Sequence, residues 1–213
     1  MTTTAITTDV STEIIADFAG GQQSDVQMMI GVGLVKDSDA VFFQYLGDEQ
    51  QPRALTMPSS GKPITRLANL RLVGIDVALD IGEFKSTKLN LFLESSQGRT
   101  VMLTSGLETI WSQCVITSLM GLMDAYSLDE AFTLDTWKGS SKMRPCFAAL
   151  RVSGQKISDQ AMYDQLRELR ADGNKQAVKQ TMLDAVNMLK QQVTGIEAVV
   201  TDVTESTEED LGF

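Results

Sequence analysis

The chain predicts a mainly β fold with helices, of the α+β type, and three features of its 213 residues carry that prediction. Apolar and polar residues alternate with a period of two over residues 70–81 and again over 89–94. The period lengthens to three or four between Gly106 and Tyr126, then returns to two until Val152. A second helical period fills the chain beyond Ser158.

Taken in order, residues 1–25 are rich in Thr, Ser and Gln and read as a flexible arm, with one weak helical turn at Ile14, Ile15 and Phe18. Met28–Leu34 and Val41–Leu46 read as a strand pair around the turn-forming Lys36-Asp37-Ser38-Asp39. Gln50–Pro63 holds Pro52, Pro58 and Pro63 and reads as a loop. Leu70 and Leu72, then Ile75, Val77, Leu79 and Ile81, form one long strand whose phase slips at Val73-Gly74, the mark of a bulge. Leu89, Leu91 and Leu93 give a second strand, Ser95–Gly98 a turn, and Thr100–Leu103 a third strand.

Ser105-Gly106-Leu107-Glu108 has capping-box spacing, so a helix is expected to start there. That helix is apolar nearly all round, with only Glu108 and Asp124 charged. It should be covered on more than one side, by its own domain or by a second subunit, and a homo-oligomer is therefore expected. Phe132–Lys138 and Pro145–Val152 are strands, joined by the small basic loop Lys138–Arg144. Ser158 is the expected cap of two consecutive helices broken at Asp172-Gly173-Asn174. The chain so divides into an arm at 1–25, a β domain at 26–157 with an N-terminal strand extension, helices at 158–195 and an acidic tail at 196–213.

Composition narrows function. There is no histidine, which excludes a histidine general base or triad. With two cysteines a structural zinc is not expected either, and neither a Walker nor a Rossmann glycine pattern is present. No enzymatic activity, cofactor or metal is expected. Cys114 and Cys146 fall in core segments and suggest reduced thiols in the cytoplasm. No apolar run reaches the ~20 residues of a membrane helix, so no membrane association is expected.

The net charge of −10 is unevenly spread. Residues 1–60 hold two cations and eight acids, residues 157–213 five and eleven, and residues 61–156 eleven and nine. The middle is thus the one mildly basic part. The last eighteen residues contain six acids and no Lys or Arg, too little apolar surface to order them, and end in Glu208-Glu209-Asp210-Leu211-Gly212-Phe213. An apolar tip on a mobile polyanion suits capture by a basic groove with a pocket for the ring.

Three strands, a helix and two strands, with a bulge glycine in a long first strand, resemble the OB-fold, a five-stranded Greek-key barrel that binds oligonucleotides on one face. Joined to the acidic, Phe-ended tail, they resemble the single-stranded DNA-binding proteins, including the phage type with a longer helix between strands three and four. The resemblance covers roughly residues 64–157 and 205–213. It implies a disordered tail that recruits replication, recombination and repair proteins and competes with DNA for the groove. Glu208, Glu209, Asp210, Leu211 and Phe213 would then be the recruiting element. The chain departs from bacterial members in having Gly212 where they have proline, and predicted helices in place of a Gly/Pro/Gln-rich linker.

Groove contacts follow from chemistry instead: aromatic faces for bases and cations for phosphates. Trp137 is on the polar face of its strand, beside Lys138 and the loop bearing Lys142 and Arg144, and is the first candidate platform. The competing reading packs its indole under that loop. Phe92, out of phase with its leucine neighbours, is the second candidate, against the alternative of a barrel packed on both faces. Lys85, Lys88, Arg99, Arg71 and Arg151 supply the remaining cations. An acidic adaptor that binds a basic protein and no nucleic acid is the other function this charge distribution fits.

Overall fold

The computed structural model describes residues 28–35, 38–46, 51–81, 86–141 and 144–205. They form nine strands and three helices: β1 Met28–Val32, β2 Phe42–Leu46, β3 Gln51–Ala54, β4 Arg66–Ile81, β5 Ser86–Ser95, β6 Thr100–Gly106, α1 Ile110–Ala125, β7 Phe132–Lys138, β8 Cys146–Val152, β9 Gln155–Ile157, α2 Gln160–Ala171 and α3 Lys175–Glu205. The mixed α+β class is as expected. The closed five-stranded barrel is not: all nine strands form one open sheet in the order β3-β2-β1-β6-β5-β4-β7-β8-β9.

The reason lies at two strand edges. β4 pairs antiparallel with both β5 and β7, β5 with β6, and β7 with β8, the pairings a five-stranded Greek-key barrel would begin from. Closure would then need β6 beside β8. The free edge of β6 is instead occupied by β1, in parallel register from Met28 opposite Val101 to Gly31 opposite Thr104. The end of β8 pairs with β9 through the Ser153-Gly154 turn, where both residues take positive φ. What stands between β1 and β8 is a cavity of about 300 Å³ bordered by Val32, Leu34, Trp111 and Cys146. Loops bridge that gap: the ammonium of Lys138 donates to the carbonyl of Ser38, and Arg144 pairs with Asp39.

The bulge expected at Val73-Gly74 is present as a register shift between Leu72 and Gly74. It keeps Leu70 and Leu72 on the buried face with Ile75, facing Leu89, Leu91 and Leu93 of β5. The stretch read as a loop at Gln50–Pro63 contains β3, and Thr56 also bridges to Pro63. Proline misled the reading because an edge strand tolerates it: Pro52 sits opposite Tyr45 on the outermost strand, where a missing N–H breaks no ladder.

Both predicted helix starts are early, the first by four residues and the second by one. Ser105 belongs to β6, and the cap of α1 is Thr109, whose hydroxyl accepts from the Ser112 amide at 3.2 Å. The Ser105 hydroxyl bonds instead to the Val32 carbonyl and to Thr109. Asp159 rather than Ser158 caps α2, accepting from the Met162 amide at 3.0 Å. The break at Asp172–Asn174 is where the sequence placed it, with Gly173 at φ 70° and the Asn174 side chain accepting from Ala177. The backbone of α3 runs to Glu205, ten residues into the segment read as tail. The arm at 1–25 and the tip residues Glu208, Glu209, Asp210, Leu211 and Phe213 lie outside the described residues.

α1 is buried from Trp111 to Leu122. It lies against β8 on one side and against α2 and α3 on another, so its apolar girth is covered within one chain. The expectation of a homo-oligomer loses that support. No helix of the described residues is long and apolar enough to cross a membrane.

Candidate nucleic-acid interface

Because side chains alternate across a strand, the buried parity of β7 (Phe132, Leu134, Thr136) turns Thr133, Asp135 and Trp137 to the other face. On β8 the same rule places Phe147, Ala149 and Arg151 on that face, where Phe147 and Arg151 are part-exposed and the small Ala149 is buried. Register places Trp137 opposite Phe147, and the two rings stack with centroids 5.9 Å apart and planes 17° from parallel. Trp137 is 44% exposed, so its indole is not packed under the loop. Phe147 can lie flat because Gly139 leaves room: a Cβ there would come within 2.9 Å of its Cε2.

Next along this face stands Asp135, held by two guanidinium groups. Arg66 Nε and Nη2 donate to its two carboxylate oxygens at 2.5 and 3.2 Å, and Arg151 Nε donates to Oδ2 at 2.9 Å. Arg151 also donates to the Gly154 carbonyl at 3.1 Å. The Arg66 hydrogen bonds, with Arg151 adding, hold the Asp135 carboxyl below the usual carboxylate range. Two cations against one anion leave a single positive charge beside the stacked rings. Lys138 has the buried parity of Phe132, Leu134 and Thr136 and so belongs to the opposite face, where its ammonium donates to the Ser38 carbonyl.

The sign of the Asp135 shift sets a pH dependence. A carboxyl that titrates lower folded than unfolded contributes stability above about pH 3.9, lost as pH falls through the folded value. The urea midpoints of wild type and Asp135→Asn should therefore differ at pH 7 and converge as pH is lowered toward 3. A difference that stays constant over that range would show that the pairing does not contribute.

The remaining sequence candidates do not converge on one path. Phe92 is half-buried on the solvent face of β5, opposite Met102 and Gly74, so the sheet is not packed on both faces there. Gly74 is eight residues along β4 from Arg66, roughly 25 Å, which separates Phe92 from the Trp137 end. Arg71 is exposed opposite Glu94, and Lys88 is half-exposed opposite Ala78. Arg144 is exposed and paired with Asp39, whose carboxyl it holds down. Arg99 is corrected: it is only 4% exposed, because the Ser95–Gly98 turn folds it inward, and it cannot meet a phosphate on the surface. Lys85 and Lys142 lie outside the described residues.

The sequence reading missed Phe147 and Arg66. Phe147 carried a readable signal, since Cys146, Ala148 and Leu150 fix the opposite parity. Arg66 did not, because it precedes the apolar alternation that announced the strand. Among the described residues no cluster of three or more His, Cys, Asp or Glu is placed to hold a metal ion. Cys114 and Cys146 are free and buried, and burial pushes both thiols up. No protein-family model, curated protein or solved structure matches the chain.

Proposed function

We propose that this chain binds single-stranded DNA without sequence choice on the solvent face of its sheet, and recruits replication and recombination proteins through the acidic segment Glu208–Phe213. The observation that carries the reading is the exposed Trp137 ring stacked on Phe147. An indole with an open face beside the Arg66–Asp135–Arg151 cluster combines a base platform with charge for phosphate. Strand connectivity from β4 to β8, with α1 between β6 and β7, supports the same reading by its likeness to an oligonucleotide-binding barrel left open.

The test is titration with oligo-dT at two salt concentrations, using the full chain and a variant lacking residues 205–213. Affinity should fall steeply with salt, and the shortened chain should bind more tightly. Absence of binding by both proteins at low salt would end the reading.

The ion pairs of Arg66 and Arg151 with Asp135, and of Arg144 with Asp39, favour a second reading. Cations already matched within the chain leave an acidic body suited to a basic protein. In that case removal of residues 205–213 abolishes partner binding and oligo-dT never binds.

A further inference from the structure

We propose that the solvent face across β2, β1, β6, β5 and β4 is a second stacking surface for nucleobases, with Phe43 and Phe92 as its plates. This rests on the single-strand reading and gives the strand a path across the sheet, apart from Trp137.

Two glycines make the plates. A Cβ added at Gly31 would overlap Cε2 and Cζ of Phe43, the residue directly opposite it on β2. One added at Gly74 would stand 3.2 Å from Cδ2 of Phe92, again the residue opposite. With no side chain beneath it, each ring settles onto the neighbouring strand and turns its other face to solvent. Phe147 over Gly139 repeats the device at the first site. Both Phe43 and Phe92 are half-buried, as rings seated on one side only must be. Tyr45, 52% exposed, stands at 86° to the Phe43 ring with centroids 5.3 Å apart and forms a wall beside that plate.

The residues between the plates are uncharged. Met29, Met102 and Phe92 are consecutive neighbours in one row, with Thr104 and Asn90 beside them in the next. Arg71, opposite Glu94, and Lys88 flank Phe92 on the same face, where Asp76 is already paired with Lys190. A protein partner anchors by driving knobs into holes, whereas open ring faces with cations beside one of them suit planar bases on a charged backbone. From Gly31 to Gly74 there are three strand spacings and a two-residue offset, about 15 Å, or roughly two to four nucleotides.

The experiment compares the full-length wild type, Trp137→Ala and the double variant Phe43→Leu with Phe92→Leu by anisotropy of labelled oligo-dT over a salt series. Leucine keeps apolar volume on the sheet, and the single Phe92→Leu variant serves if the double does not fold. The double variant should lose about tenfold or more in affinity with its salt slope unchanged, because stacking is lost and no phosphate contact is. Wild-type affinity in the double variant, with Trp137→Ala weakened, would overturn this path and leave the single-strand reading standing. No binding at low salt by the wild type, with or without residues 205–213, would overturn both.

Discussion

Gly121→Ala is expected to lower stability by about 1–3 kcal/mol, read as a lower urea midpoint with an unchanged slope. On propensity alone the change should help, since alanine is favoured over glycine inside a helix by roughly 1 kcal/mol. Packing decides otherwise. A Cβ at Gly121 would stand 2.6 Å from the carbonyl carbon of Ser158 and 2.7 Å from the amide nitrogen of Asp159. Both are backbone atoms, and the Asp159 amide already donates to the Thr117 carbonyl at 2.7 Å. Relief requires shifting the whole entry of α2, which Asp159 caps and which buries Met162 and Leu166. An unchanged or raised midpoint would show that α1 does not approach this linker as closely as described.

Trp137→Ala is expected to weaken oligo-dT binding by about 5- to 150-fold, the equivalent of roughly 1–3 kcal/mol for one stacked base. It should also remove ligand-dependent quenching. The chain has two tryptophans, and Trp111 is 1% exposed within the core, so only Trp137 can report contact with a base. The substitution should cost little stability, because the ring touches Phe147 on one face and water on the other. Quenching that survives in the variant would remove Trp137 from the interface.

Local pattern carried much of the sheet. The slip at Val73-Gly74 named the bulge, and the alternation from Phe132 to Lys138 fixed β7 at both ends. Phase also put Trp137 on the solvent side of its strand, and the structure agrees. What was illegible depends on partners distant in sequence. β1 takes the edge of β6 some seventy residues away, and no local signal marks which edge an incoming strand will choose. The pairing of Arg144 with Asp39 crosses 105 residues in the same way. Arg99 was misplaced because its orientation follows from the turn before it, where Gly98 has φ 77°, and not from alternation. The seats under Phe43 and Phe92 were hidden for a similar reason: a glycine signals room for a ring only once the opposing residue is known.

An unclosed sheet has two rims, and each is a place where another molecule's strand could add. Here the outermost strand at each rim is a poor template. β3 is four residues long and interrupted by Pro52, and β9 is three residues long. Neither offers the row of free amides and carbonyls that edge-to-edge polymerisation requires. Copies of the chain meeting at β3 or β9 would thus find no long ladder to extend, and would stay discrete units there.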